Sequence, residues 1–300
     1  MALNNNVFCA TNPARMADAL WHVMASSGVD VSDMLIFLPS RRAVRTVEKM
    51  IAEKKGGVAI LPTLVPLGDG ADFDESDDDV TGEISDTERV VVLAKLLAAD
   101  ASVGNLSNAL TVAHDLVRMQ DYMENEGEDA CDIDWDSLVD EKYATHFQNK
   151  ARILNILSGF SKLYANGRMT GVQVRNRDIR NWQNYFDKYK LVIVCASTAS
   201  VPATADLMRA VYALPHGRII LSGKIDGRVA DFDLDTNPYN SEHKFLGSIG
   251  LTYTDVLPID VGGSAIDFMN YAFGNDCAVA GVDTDLSHCH LVVAPTEAVE

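Results

Sequence analysis

Three hundred residues suffice for about two average domains, and an apolar share of 47% with a mean hydropathy of zero is too high for a disordered chain. Twenty-five Lys and Arg against 43 Asp and Glu give a formal charge of −18, the opposite of the basic footprint that a generic polyanion binder carries. No apolar run approaches the roughly 20 residues of a membrane span, and the amino terminus lacks a secretory signal.

The first 61 residues read as β-α-β-α-β. Val7–Ala10 is a short apolar strand. Asn12 is a fair N-cap and Pro13 suits the first helical position of a helix running through Met24. Met34-Leu35-Ile36-Phe37-Leu38 is apolar without alternation, as in a strand buried on both faces. Ser40 caps a helix over 41–55, Gly56-Gly57 stop it, and Val58–Leu61 is a third strand by its composition. An acidic loop follows over 68–85. Helical patterns then run over 88–100, 105–125, 143–166 and 171–188 with no strand-like interruption. The α/β pattern returns with a buried strand Leu191–Cys195, a helix over 202–214 and a turn at Pro215-His216-Gly217. A strand over 218–221 comes next, then a short helix ending near Gly250, a strand over 256–261 and another over 290–294. The fold class is therefore α/β, a parallel sheet with an all-helical insertion. Its parts are 1–85, the insertion 86–189, and a return to the α/β domain over 190–300. A strand with a helix start just behind it at Pro295 creates the expectation of a longer polypeptide.

The charge is local. Residues 69–88 hold ten carboxylates and no Lys or Arg, and 121–141 hold ten more, again with none. Residues 142–190 hold ten Lys and Arg against two acids. There Arg168, Arg175, Arg177 and Arg180 interleave with Trp182, Tyr185 and Tyr189, a mixture suited to backbone contacts plus base stacking. The competing reading is a solvated helix face, or one paired with the acidic segments before it. Arg41, Arg42 and Arg45 open the second helix, where a helix N-terminus beside arginines suits a phosphate.

Searches for catalytic machinery find none. The turn after the first strand, Ala10 to Arg15, has no glycine, and Pro13 lacks an N–H donor, so it is no P-loop. Gly223-Lys224 lacks the preceding glycine. The strand Leu191–Cys195 ends in Ala196-Ser197-Thr198 instead of an acidic pair that would hold Mg²⁺. No G-x-G-x-x-G or G-x-S-x-G occurs. Cys277, His288, Cys289 and His290 fit no zinc spacing, and the acidic run 72–79 lacks the order of an EF-hand. No cofactor, metal or catalytic residue is assigned. Five widely spaced cysteines (Cys9, Cys131, Cys195, Cys277, Cys289) read as free thiols of a reduced, cytoplasmic protein, with Cys9 and Cys195 in the core.

Four segments in register resemble one family. Leu38-Pro39-Ser40-Arg41-Arg42-Ala43 and the stretch Ile60 to Asp69 resemble the opening of AddB subunits of AddAB helicase–nucleases, in their alphaproteobacterial form. Ala196-Ser197-Thr198-Ala199-Ser200-Val201-Pro202-Ala203-Thr204-Ala205 is similar to a family stretch of the type GSTGS-P-ATA. Asn237-Pro238-Tyr239 to Gly250 resembles a P-Q-Y-G-L…L-x-x-L-G helix. The resemblance implies a RecA-like, superfamily-I helicase-like sheet whose ATP site has degenerated. Asn12, Pro13 and Arg15 would stand at the P-loop position, and Ala196, Ser197 and Thr198 at the Asp-Glu position. Leu221-Ser222-Gly223-Lys224 would lie near the next helicase motif. It also implies DNA-backbone contacts at Ser40, Arg41, Arg42 and Arg45, with Arg175, Arg177 and Arg180 as further candidates, and an AddA-type helicase subunit and DNA as partners in double-strand break repair. The rival expectations are an α/β enzyme with a site around Ser40, Thr198, Ser200 and Asp226 at the strand ends, or a pure protein-interaction module.

Overall fold

A computed structural model describes residues 6–10, 12–68, 82–99, 103, 105–129, 153–160, 168–223, 236–259 and 261. Among them lies a parallel sheet of β1 (Val7–Ala10), β2 (Met34–Leu38), β3 (Thr63–Pro66), β4 (Leu191–Cys195), β5 (Gly217–Leu221) and β6 (Leu257–Ile259), in the order β3-β2-β4-β5-β1-β6. The helices are α1 (Met16–Ser26), α2 (Arg41–Lys54), α3 (Asp86–Ala98), α4 (Leu106–Glu126), the helical residues 153–160 (α5), α6 (Gly171–Asn181), α7 (Pro202–Ala213) and α8 (Asn240–Ser248). This is the α/β parallel-sheet architecture anticipated from the sequence. Among the described residues no helix is long and apolar enough to cross a membrane.

Unbroken apolar runs make sense because the sheet is covered on both sides. Along β2, Leu35 and Phe37 join one core while Met34, Ile36 and Leu38 join the other. Along β4, Val192 and Val194 separate from Leu191, Ile193 and Cys195 in the same way. The first core is closed by α7, by Ile179 of α6 and by Phe245 and Leu246 of α8. The second is closed by α1 and α2. Both faces therefore demand apolar residues, and alternation disappears. Cys9 and Cys195 are each 1% exposed, and burial pushes the Cys195 thiol up to about 12, so it is an inert core residue.

Three sequence expectations shift. Val58–Leu61 is not a strand: Val58 and Ile60 are 89% and 75% exposed, and Thr63–Pro66 pairs with β2 instead. The segment after Gly56-Gly57 must first travel to the sheet edge, so the apolar residues nearest the helix stop lie on the connection. The helix anticipated over 171–188 is α-helical only to Asn181 and continues as a 3₁₀ segment, Trp182–Lys188. The last described strand is three residues long, Leu257–Ile259. The proposed strand at 290–294, most of the helix at 143–166, and Cys131, Cys277, His288, Cys289 and His290 lie outside the described residues, as does the acidic run 69–81.

The insertion has its own core. Val90, Leu93 and Leu97 of α3 pack on Ala109, Ala113, Leu116 and Val117 of α4 and on Leu157 and Phe160 of α5. Arg89 is 1% exposed within it. Its guanidinium meets Asp86 at 3.0 Å, Asp121 at 2.7 Å and the Gln120 side-chain oxygen at 3.1 Å. Gln120 in turn donates to Glu124 at 2.8 Å. Glu124 accepts from Thr170, the N-cap of α6, and from Gln173 at 3.2 Å. A polar chain therefore runs from inside the insertion to α6, whose Ile179 reaches the core of the sheet.

Candidate functional site at the carboxyl edge of the sheet

In a parallel sheet every strand opens its carboxyl end toward the same edge, and ligand crevices form where neighbouring connections leave to opposite faces. Here β1 and β2 feed α1 and α2 on one face, whereas β4 and β5 feed α7 and α8 on the other. The order β2-β4-β5-β1 thus contains two such crevices, β2/β4 and β5/β1.

At β5/β1, Asn12 accepts from the Ala14 N–H at 3.0 Å and caps a 3₁₀ turn, Pro13–Arg15. Pro13 lies against Gly223, where an added Cβ would stand 3.5 Å from its Cγ. Arg15 turns to Asp18, with Nη2 at 2.9 Å, and also donates to the Val261 carbonyl. At β2/β4, Ser40 accepts from the Ala43 N–H at 3.3 Å and caps α2 as anticipated. Arg41, Arg42 and Arg45 follow on its exposed side, with no acid in the first turn. Their charges face the positive end of a helix dipole, an arrangement that favours an anion between them. The loop after β3 closes against this corner: Gly68 N–H donates to the Pro39 carbonyl at 3.2 Å, and a Cβ on Gly68 would stand 2.7 Å from that oxygen.

The loop after β4 departs from ordinary backbone. Ala196 and Ala199 have φ of +61° and +55°, a left-handed conformation that disfavours any side chain. Ala196 N–H donates to the Ile220 carbonyl at 2.8 Å, and Ala199 N–H to the Ser197 hydroxyl at 3.4 Å. Ser197 is buried, whereas Thr198 and Ser200 are exposed and bond to each other at 3.3 Å. Their hydroxyls, like that of Ser40, have no His or acid as partner among the described residues. Asp226 lies outside them.

The basic helical stretch does not form a free stripe. Arg175 donates to the Asn125 side chain, Arg177 to Asp178 at 2.9 Å, and Arg180 Nε to Asp206 at 3.5 Å. Trp182 meets Phe37 edge-on with centroids 5.7 Å apart, and Phe186 meets the same ring at 6.2 Å. These aromatics anchor α6 to the sheet, and of the arginines here Arg168 pairs with an acid of the earlier carboxylate-rich stretches, Glu88 at 3.0 Å. Arg41, Arg42 and Arg45 of α2 are exposed, as is Arg180 of α6.

Glu242, which no motif flagged, is the most perturbed acid at this edge. It sits in the first turn of α8, 1% exposed, with neither carboxyl oxygen hydrogen-bonded among the described residues. Burial pushes it up to about 7, and the nearby Ser222 hydroxyl only partly offsets that. Its spacing from Phe245, Leu246 and Ile249 is the one signal that could have found it, since i, i+3, i+4, i+7 places it on the buried stripe. Among the described residues no three His, Cys, Asp or Glu side chains gather as metal ligands do. No protein-family model matches this chain, and comparison with curated proteins finds no match.

Proposed function

We propose that this chain is a non-catalytic, helicase-like part of an AddB-type subunit, a scaffold and DNA-guiding element in double-strand break repair by recombination. The observation that carries the reading is the loop after β4. Its two left-handed residues, Ala196 and Ala199, fall at the two glycines of the GSTGS stretch that the segment resembles, and glycine is the residue such backbone favours. Further support comes from where the resembling segments sit: Leu38–Ala43 and Ile60–Gly68 meet through Gly68 and Pro39, in one parallel sheet in which β5 lies between β1 and β4. On this reading the carboxyl edge keeps the shape of a nucleotide site without its chemistry. Pro13 offers no N–H to a phosphate, and Ala196 and Ser197 offer no carboxylate to a metal. The chain would work in the cytoplasm beside an AddA-type helicase subunit.

The test is binding to forked DNA at two salt concentrations, with Arg41 and Arg42 each changed to Ala. Deleting an arginine that neutralises one phosphate lowers the salt slope by about 1 and weakens binding uniformly across sequences. A slope indifferent to both changes removes the DNA-guiding role and leaves a protein-interaction module. A second reading, an α/β enzyme working at the same edge, is favoured by Glu242 beside Ser222. An ATP analogue that binds the chain and is lost on Arg15→Ala would overturn the degenerate-site reading in its favour.

A further inference from the structure

The opposite, amino edge of the sheet holds a cavity of about 620 Å³ beneath the end of α1, within the roughly 300–1,000 Å³ of small-molecule sites. Its apolar wall includes Phe8 of β1, Leu191 of β4 and Leu257 of β6. Its polar wall includes Lys190, His216 and Arg218. Lys190, at the rim, is held by Asp33 at 2.6 Å. Nη1 of Arg218 donates to the carbonyls of Pro215 at 3.3 Å and Gly217 at 2.6 Å, and no carboxylate pairs with the guanidinium among the described residues. His216 Nε2 is buried without a hydrogen-bond partner among them. Burial lowers the Arg218 pKa.

Cations near helix C-termini often serve only the dipole. Here Ser26 and Ser27 already donate to the Val23 and Met24 carbonyls, at 3.2 and 2.7 Å, and blunt the end of α1 that faces the cavity. An imidazole nitrogen buried without a partner among the described residues is costly as it stands, and the half-buried Arg218 beside the apolar wall has no carboxylate among them. One ligand type satisfies all three. We propose that this cavity binds a small amphipathic carboxylate, its ring or chain against Phe8, Leu191 and Leu257 and its head between His216 and Arg218.

The probe is 1-naphthoate, with 1-naphthamide as its uncharged counterpart, each titrated calorimetrically into the full chain. The expected result is one saturable naphthoate site per chain and naphthamide at least about tenfold weaker, as losing a charge-assisted hydrogen bond implies. Arg218→Gln brings naphthoate down to the affinity of naphthamide, and Arg218→Lys restores part of the difference. Circular dichroism checks that the variants fold. Should Arg218→Gln fail to fold, His216→Gln takes its place, with the same loss expected. Absence of saturable naphthoate binding overturns the proposal. So does equal affinity for naphthoate and naphthamide, which leaves an apolar cleft, or naphthoate binding unchanged in the folded variants.

Discussion

Ala196 and Ala199 are the residues where side chain and backbone most clearly disagree. Each holds a Cβ in the left-handed region, at a cost of about 1 kcal/mol relative to glycine. Replacing Ala199 by Gly should therefore stabilise the chain by about 0.5–1 kcal/mol despite the extra freedom of the unfolded state, read as a rise in the midpoint of urea unfolding. An unchanged or lower midpoint would mean that the loop bears no such strain. Glu242 makes a sharper demand. Its folded pKa of about 7 lies above the ordinary 4.5, so the folded state binds its proton more tightly than the unfolded state does. Its contribution to stability is full below about pH 4.5 and falls away as pH rises to 7, a loss of about 3 kcal/mol at most. Glu242→Gln should thus match the wild type at pH 4 and exceed it at pH 8, in urea melts at both values. Parallel pH profiles for the two proteins would sink this assignment. Both features were partly legible in the sequence. Helical phase put Glu242 on the buried stripe, and the family-like stretch has glycine at the positions of 196 and 199. What the sequence could not supply were the surroundings Glu242 enters, where its carboxyl has no hydrogen-bond partner among the described residues, because that depends on which strand end α8 lands on.

At the scale of elements, local patterns predicted β2, β4 and their helices well because their cause is local. Asn12 and Ser40 cap as their types and positions predict, and unbroken apolar runs become strands covered on both faces. The failures share a cause that is not local. Val58–Leu61 has the composition of a strand, but distance to the edge of β2 decides that Thr63–Pro66 pairs. The neighbours of the α6 arginines are equally non-local, since α4 and α7 bring Asn125 and Asp206 to Arg175 and Arg180. Arg89 shows the same limit with larger energies. It lies on the apolar phase of α3, four residues before Leu93, and only the approach of α4 supplies Gln120 and Asp121. Removing Arg89 takes a donor from the buried Gln120 oxygen and from Asp121, which is 29% exposed, at about 1–3 kcal/mol. Arg89→Met should cost about that much, and adding Asp121→Leu should recover part of it, as a double-mutant cycle in urea reports. Strict additivity of the two changes would show that the pair does not interact.

Across the whole molecule, two kinds of core coexist. The sheet is sandwiched between α1–α2 and α6–α8, while α3, α4 and α5 bury their stripes mainly in one another. The polar chain from Arg89 through Gln120 and Glu124 to Thr170 joins them, and hydrogen bonds of this kind contribute less than either apolar core. Charge follows the same division. Of the two carboxylate-rich stretches, 69–88 leads into the insertion and 121–141 lies within it, while the α2 arginines stand at the carboxyl edge of the sheet. A bulk charge of −18 therefore carries little information about that edge. If the insertion is an opening unit of its own, a cavity in its centre should be felt there first. Leu93 is fully buried, and Leu93→Ala should cost about 2–5 kcal/mol within that core. Hydrogen exchange followed by mass spectrometry should then show faster exchange across α3 and α4, with the amides of β2 and β4 as protected as in the wild type. An equal loss of protection in β2 and β4 would mean that the polar chain couples the two cores into one cooperative unit. In that case Glu124→Ala, which cuts the chain at its centre, should restore the difference between them.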